Sequence, residues 1–215
     1  MNAVSSGPTT RKVLLADVGG TNARFALLAG RTLGKISHTA VSDYGSFREA
    51  LSAYLGKVPE ADSIGAAVLA ASGVVQNGRC ALMNNPWVID AADLCATYGF
   101  SRVRLINDFE AVAWSLPRLS RDKLLQVGGG QPIAGAPLVA LGPGTGLGMA
   151  ASIPHATGHL VLSSEGGHST MAGSTLREDA VIAYLRRRLG HVSAERVLSG
   201  PGLEISTRRS PLWTT

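Results

Sequence analysis

The run from Val13 to Leu28, VLLADVGGTNARFALL, constrains this chain more than any other stretch. Two segments rich in strand formers flank a tight turn at Gly19-Gly20, which predicts a hairpin with Asp17 where the first strand opens into the turn. Glycine at such a turn lets backbone amides approach an anion with no side chain in the way. Asp17 can hold Mg2+ through water, and Thr21 and Asn22 can donate hydrogen bonds, so the corner suits a nucleotide phosphate. An ordinary hairpin with a satisfied aspartate fits this stretch equally well, and the rest of the chain has to decide.

A chain of 215 residues buries one good core, or two modest ones with a cleft between them. Hydrophobic content of 45% beside 16% charged residues excludes a disordered chain. The 26 glycines cluster at 19–20, 128–130, 142–148 and 166–167 without a period, which marks special backbone sites rather than a linker or a repeat. The net charge of +5 raises the question of nucleic acid. Its densest run, Arg186-Arg187-Arg188, closes a predicted helix, complements the helix dipole and has no interleaved aromatics for stacking on bases. No nucleic-acid partner is expected. Cys80 and Cys95 have neither metal-site nor disulfide spacing, the N-terminus lacks a signal-peptide core, and the run Gly65 to Ala71 is too short to span a bilayer. A soluble, cytoplasmic protein with no membrane partner is the expectation.

Along the chain, Leu33 to Val41 supplies a candidate third strand, and Ser46 with Glu49 forms a capping box before a helix carrying Phe47, Ala50, Leu51, Tyr54 and Leu55 on one face. Ile64 to Ala70 reads as a buried parallel strand, and Asn77-Gly78 as a turn. The loop Asn84-Asn85-Pro86-Trp87 offers amides and an indole that suit a sugar, although a turn with a buried tryptophan anchor is the simpler reading. Asp90 caps a helix closed by Gly99, and Val103 to Ile106 is the next strand.

That strand delivers Asn107-Asp108 at its carboxyl end, where open α/β sheets place ligands. Asp108 is the candidate base: a sugar hydroxyl attacking a γ-phosphate needs a carboxylate to orient it and take its proton. The competing role is an N-cap on a helix from Glu110 to Leu116. The polar stretch Ser120 to Gly135 looks like a passage into a second lobe. Beyond it, strands Leu138 to Leu141 and Met149 to Ile153 flank Gly142-Pro143-Gly144-Thr145-Gly146-Leu147-Gly148, which matches neither a Walker A loop nor a dinucleotide fingerprint yet favours phosphate contact by its glycine density. Glu165 and His168, held around Gly166-Gly167, add to Asn107 and Asp108 a set of donors and acceptors suited to a ring of hydroxyls. A zinc site is disfavoured by the single imidazole and the lack of a nearby thiolate. Thr175 and Glu178 open a second helix carrying Val181, Ile182, Leu185 and Leu189, Ser193 caps a short one, and Gly200-Pro201-Gly202 is expected to break the chain. Glu204 to Thr215 shows no periodicity and reads as an undocked tail.

The segments DVGGTNARFAL, MNNPW, INDFEAVAWSLP, LGPGTGLG, SEGGH and HVSAERVLSGPGL, in this order over Val13 to Leu203, resemble the bacterial glucokinases of the ATP-dependent, non-zinc hexokinase type. The resemblance implies an α/β, two-lobed actin-like ATPase fold (ribonuclease H-like), with glucose and ATP as ligands and Mg2+ as cofactor. It implies Asp108 as catalytic base for the sugar 6-hydroxyl, and Asn84, Asn107, Glu165, His168 and Glu195 as sugar contacts. Asp17, Gly19, Gly20, Thr21, Asn22, Gly142, Gly144, Thr145 and Gly146 would surround the ATP phosphates and metal. The related zinc-motif sugar kinases and repressors carry a cysteine-rich segment that this chain lacks.

Two departures stand out. Leu69 to Val74 lies where relatives usually carry a glycine-proline turn, and the family continues beyond SGPGL with a stretch that completes the second lobe. The expected layout is therefore a flexible extension 1–12, an N-terminal lobe 13–119, a partial second lobe 120–203 lacking its C-terminal part, and an unrelated tail 204–215. Two functions follow. One is ATP-dependent phosphorylation of glucose to glucose 6-phosphate. The alternative is a truncated, non-catalytic remnant with at most weak sugar binding, whose exposed apolar faces, such as that of Val181, Ile182 and Leu185, favour aggregation, a homodimer or a complementing C-terminal chain. An actin-like structural module is disfavoured, because Asn107-Asp108 and Glu165-His168 match sugar contacts.

Overall fold

The computed structural model describes residues 11–59, 61–83 and 85–208. The chain divides into two compact units, the first ending at Ala111 and the second beginning at Val112, whereas the sequence suggested a boundary near Leu119. Residues 1–10 of the expected extension lie outside the described residues, and Lys12 already belongs to the first strand.

In the first unit β1 (Lys12–Val18) and β2 (Asn22–Ala29) form the expected antiparallel hairpin. Alternation decides its faces: Leu14, Ala16 and Val18 are buried, which leaves Leu15 and Asp17 on the opposite side. The expected third strand is two short pieces, β3 (Thr32–Leu33) and β4 (Ser37–Ala40), both paired with β2. They are separated where the Gly34 amide turns to bond the Leu27 carbonyl at 2.8 Å. Helix α1 (Phe47–Leu55) is capped by Ser46, whose hydroxyl accepts from the Glu49 amide, and it buries Phe47, Ala50 and Leu51. Strand β5 (Ile64–Ala71) runs parallel to β1. A small antiparallel sheet follows, β6 (Val75–Gln76), β7 (Arg79–Ala81) and β8 (Val88–Asp90), its first turn made by Asn77 at φ 51° and Gly78 at φ 74°. Asp90 then caps α2 (Ala91–Tyr98) by accepting from the amides of Ala92 and Asp93, and Gly99 ends it in the left-handed conformation. Strand β9 (Arg102–Asn107) pairs parallel with β5 and leads into α3 (Asp108–Ser115), so the main sheet has the order β3-β2-β1-β5-β9 with β4 beside β2.

Leu14, Val18, Phe25, Phe47, Leu51, Leu69, Ile89 and Leu94 pack into one core with Trp87. Trp87 is 1% exposed, meets Phe47 edge-on and donates its indole N–H to the Tyr44 carbonyl at 3.1 Å. The indole is thus an anchor for the loop that precedes it, not a flat surface offered to a sugar.

The second unit holds an antiparallel sheet, β10 (Leu138–Pro143), β11 (Leu147–His155) and β12 (Gly158–Ser164). Three helices follow: α4 (Leu176–Leu189), α5 (Ala194–Leu198) and α6 (Gly200–Arg208). Thr175 and Glu178 make the complete capping box, and Arg186, Arg187 and Arg188 occupy the last turn of α4 as expected. Two expectations need correction. Gly200-Pro201-Gly202 starts a helix instead of breaking the chain, because proline is tolerated in a first turn and the Ser199 hydroxyl accepts from the Gly202 amide at 3.1 Å. The supposed undocked tail is therefore helical to Arg208, with Ile205 packed on the small core of Ile182, Leu185 and Val192; residues 209–215 lie outside the described residues. That same core buries Ile182 and Leu185, which were expected to be left exposed. Part of the exposed apolar surface lies on the sheet, where register puts Val139, Leu141, Leu160 and Leu162 on one face.

Replacing Trp87 by alanine should destabilise the first unit by about 3–5 kcal/mol, as removal of a fully packed aromatic does. A shift of the urea midpoint reports this, and an unchanged midpoint would contradict the anchoring role.

Candidate functional site

In the first unit the parallel strands β1, β5 and β9 end together: Val18 pairs with Ala71, and Ala71 with Asn107. Past that row the backbone stays tied, because the Ser72 amide bonds the Val18 carbonyl at 2.9 Å and the Asn107 side-chain amide donates to the Gly73 carbonyl at 3.1 Å. Gly73 admits no side chain, since a Cβ there would lie 2.7 Å from the Ala81 carbonyl oxygen and 2.9 Å from the Cys80 sulfur. The departure at Leu69 to Val74 is thus where the neighbouring sheet comes closest.

The cap of α3 is Asn107, not Asp108. Its Oδ1 accepts from the amides of Phe109 at 2.9 Å and Glu110 at 3.3 Å. With the cap supplied by its neighbour, Asp108 occupies the first helical position, half-buried, with Oδ1 accepting from the Phe109 amide at 2.9 Å. Burial pushes the Asp108 carboxyl above the ordinary carboxylate range and the charge of Asp17 adds to this, while hydrogen bonds from the Phe109 amide and the Ser72 hydroxyl oppose it. Burial also raises the Cys80 thiol, helped by the charge of Asp108. Asp17 sits across the hairpin from Arg24 and pairs with it at 2.5 Å, both side chains being about half exposed. The loop after Asp17 is closed by the Gly19 amide on the Asn22 carbonyl at 2.9 Å, and Gly20, Thr21 and Asn22 are exposed. Asn84 lies outside the described residues.

In the second unit the glycine-rich segment is tighter than expected. Gly142 is inside β10, paired with Gly148, and the turn itself is Gly144 to Gly146, with the Gly144 amide on the Gly146 carbonyl at 2.8 Å and Thr145 exposed. Glu165, His168 and Glu195 come together as a group. His168 Nε2 lies 3.6 Å from Glu165 Oε2, and Nδ1 lies 3.8 Å from Glu195 Oε1. The other Glu195 oxygen accepts from the Leu147 amide at 3.0 Å. Gly166 and Gly167 allow this approach, because a Cβ at either would run into Met149 or Leu147.

Arg24, Ser72 and Leu147 escape the sequence reading. Arg24 was accessible by counting across the hairpin from Asp17, whereas Ser72 carries no motif of its own and depends on strand register, and the Leu147 amide, although inside the glycine-rich segment, finds its partner on a helix from elsewhere in the chain.

An α/β sheet whose parallel strands end near Asp17 and Asp108, followed in the chain by a unit with a glycine turn beside a Glu-His-Glu group, is the layout of an actin-like sugar-kinase fold. The family model described as Glucokinase matches residues 14–207. Curated glucokinases from Paramagnetospirillum magneticum and Pseudomonas paraeruginosa are 43% and 42% identical over 90% and 94% of this chain. A crystal structure of glucokinase from an Antarctic psychrotroph superposes with a TM-score of 0.76 at 34% identity, covering 90% of this chain and 62% of that one. The glucokinase of Balamuthia mandrillaris, at 22% identity and a TM-score of 0.64, shows the shared fold. The chain belongs to the glucokinase family. It spans 61% and 60% of the two curated relatives' own lengths.

The raised Asp108 carboxyl carries a stability consequence. The folded state holds its proton to higher pH than the unfolded chain, so the contribution is present below the ordinary carboxylate pKa of 3.8 and is lost as pH rises through the raised value. Asp108→Asn removes the ionised group and should raise the neutral-pH Tm by roughly 1–3 °C, discounted for partial exposure, with no gain below pH ~4. Calorimetry at both pH values checks this, and a Tm lowered at neutral pH would contradict it.

Proposed function

We propose that this protein transfers the γ-phosphate of ATP to the 6-hydroxyl of glucose, with Asp108 as the base. The observation that carries the reading is the half-buried Asp108 at the carboxyl end of β9, released from capping by Asn107 and held above the ordinary carboxylate range by burial. A raised carboxylate is a better proton acceptor than an exposed one. The sugar oxygen bonds the γ-phosphorus as the bond from phosphorus to the β,γ-bridging oxygen breaks. ADP leaves, and the hydroxyl proton passes to the Asp108 carboxylate. Asn107, whose side chain spends both ends on the backbone, keeps one amide hydrogen for a sugar oxygen. Glu165, His168 and Glu195 offer the second unit's acceptors and donors to the remaining hydroxyls, and Asn84 is retained as a sugar contact by resemblance.

The nucleotide is assigned to Asp17, Gly19, Gly20, Thr21 and Asn22 in the first unit, and to Gly142, Gly144, Thr145 and Gly146 in the second. Among the described residues there is no group of three or more His, Cys, Asp or Glu placed to hold a metal ion. The single carboxylate of Asp17 fits Mg2+, which keeps several waters and takes one or two carboxylates plus substrate phosphates. Asp17 would hold it, through water, with the carboxylate already oriented by Arg24. Bound there, Mg2+ would neutralise phosphate charge.

No helix among the described residues is long and apolar enough to cross a membrane. Cys80 and Cys95 are free thiols, which suits a cytoplasmic enzyme drawing on ATP and glucose. Association with a second copy, or with a chain carrying the remaining length of the relatives, belongs to the same reading; light scattering on the assayed sample reports it.

A coupled assay for glucose 6-phosphate with the purified chain, ATP, Mg2+ and glucose should show turnover that Asp108→Ala lowers at least ~100-fold, the usual contribution of a positioned base. The wild-type kcat/KM should fall as pH drops through the raised Asp108 value, because only the ionised carboxylate accepts the proton. A folded sample that binds glucose without turnover would leave a non-catalytic glucokinase remnant.

A further inference from the structure

Glu195 divides its carboxylate between two functions. Oε2 accepts from the Leu147 amide at 3.0 Å, at the end of the glycine turn, and a Cβ at Gly146 would lie only 2.5 Å from that same oxygen. Oε1 faces Nδ1 of His168 at 3.8 Å, and the far side of that imidazole faces Glu165. The exposures are graded: Glu165 and His168 are more than half exposed, Glu195 is 25% exposed. A ligand therefore meets His168 first, and Glu195 stands between that group and the turn. The turn is also held by the pairing of Pro143 with Leu147 at its ends, the Gly144 amide on the Gly146 carbonyl, the Gly200 amide on the Gly144 carbonyl at 2.8 Å, and the close backbone approach of Gly167 to Leu147.

We propose that Glu195, beyond its contact with the sugar, couples occupancy of the Glu165-His168 group to the geometry of the turn Gly144 to Gly146, so that a bound sugar sets how that turn meets phosphate. The carboxylate is rigid and planar. Drawing Oε1 toward a sugar hydroxyl rotates Oε2 against the Leu147 amide, and the turn follows because its last residue is next in sequence. The sugar and phosphate assignments rest on the proposed glucokinase reading, whereas the link between His168 and Leu147 does not.

The test follows the Leu147 amide by NMR in the 15N-labelled full chain, with glucose as the probe. Glu195→Ala should speed Leu147 amide exchange roughly tenfold, the loss of one charge-assisted hydrogen bond. Glu195→Gln keeps an acceptor oxygen and should hold exchange within about twofold of wild type, as a purely structural role requires. It should nevertheless lose the glucose-induced shift of the Leu147 and Gly146 signals that wild type shows at saturation, as judged from the His168 ring. In a ligand-free arm, His168→Gln should move the Leu147 signal in the wild-type background and leave it unmoved in Glu195→Ala. An equal response in both backgrounds overturns the coupling. A wild-type chain that binds no glucose overturns the sugar reading instead, and the ligand-free arm then decides the coupling alone.

Discussion

Parallel pairing of β5 with β1 on one side and β9 on the other fixes where the chemistry of the first unit stands. Because Val18, Ala71 and Asn107 share one row, Asp17 and Asp108 fall just before and just after it, at the ends of the two strands that flank β5. A slip of one residue in β9 would turn Asn107 and Asp108 to opposite sides and separate cap from base. The pairing is held by burial along β5, where Ile64, Ala67, Leu69, Ala70 and Ala71 are all buried, and continues beyond the strands through Ser72 on Val18 and Asn107 on Gly73. Two carboxylates so placed repel, which is part of why Asp108 sits above the ordinary range, and Arg24 beside Asp17 moderates that repulsion.

The division of labour between Asn107 and Asp108 follows from the same geometry. One residue must close the helix that begins where β9 ends, and an amide does so without placing a second charge there. Asn107 takes both Phe109 and Glu110 amides, so Asp108 keeps a carboxylate oxygen beyond its bond to Phe109. Burial then raises its proton affinity, a state that costs stability and serves proton transfer.

Much of this was legible in the sequence, and the misses share a cause. The hairpin, the Thr175-Glu178 capping box, the Ser46, Asp90 and Ser193 caps, the Asn77-Gly78 turn and the parallel strand at Ile64 follow from local rules of period and cap chemistry, which act over a few residues. Glu165 and His168 were legible from their glycine loop and Glu195 only from resemblance, and the structure of the second unit brings the three together. Local rules failed where a neighbour in space decided. Gly200-Pro201-Gly202 reads as a breaker until Ser199 caps it and Ile205 finds the Ile182-Leu185 core. The buried-anchor reading of Trp87 holds, with the Tyr44 carbonyl and the Phe47 ring enclosing it, so the sugar surface weighed beside it drops out. For Asp108 the sequence left base and N-cap side by side, and only the structure shows that the asparagine before it takes the cap amides.

The proposed chemistry depends on the state of one carboxyl group. A 13C titration of the Asp108 side chain by NMR, in the wild-type chain without ligand, measures it directly. The account predicts a midpoint above the ordinary carboxylate value of 3.8, lowered when Asp17 is replaced by asparagine, since that removes the neighbouring charge. A midpoint at or below the ordinary value, unmoved by the substitution, would mean that Asp108 is a solvated surface acid and that the strand ends do not build a base.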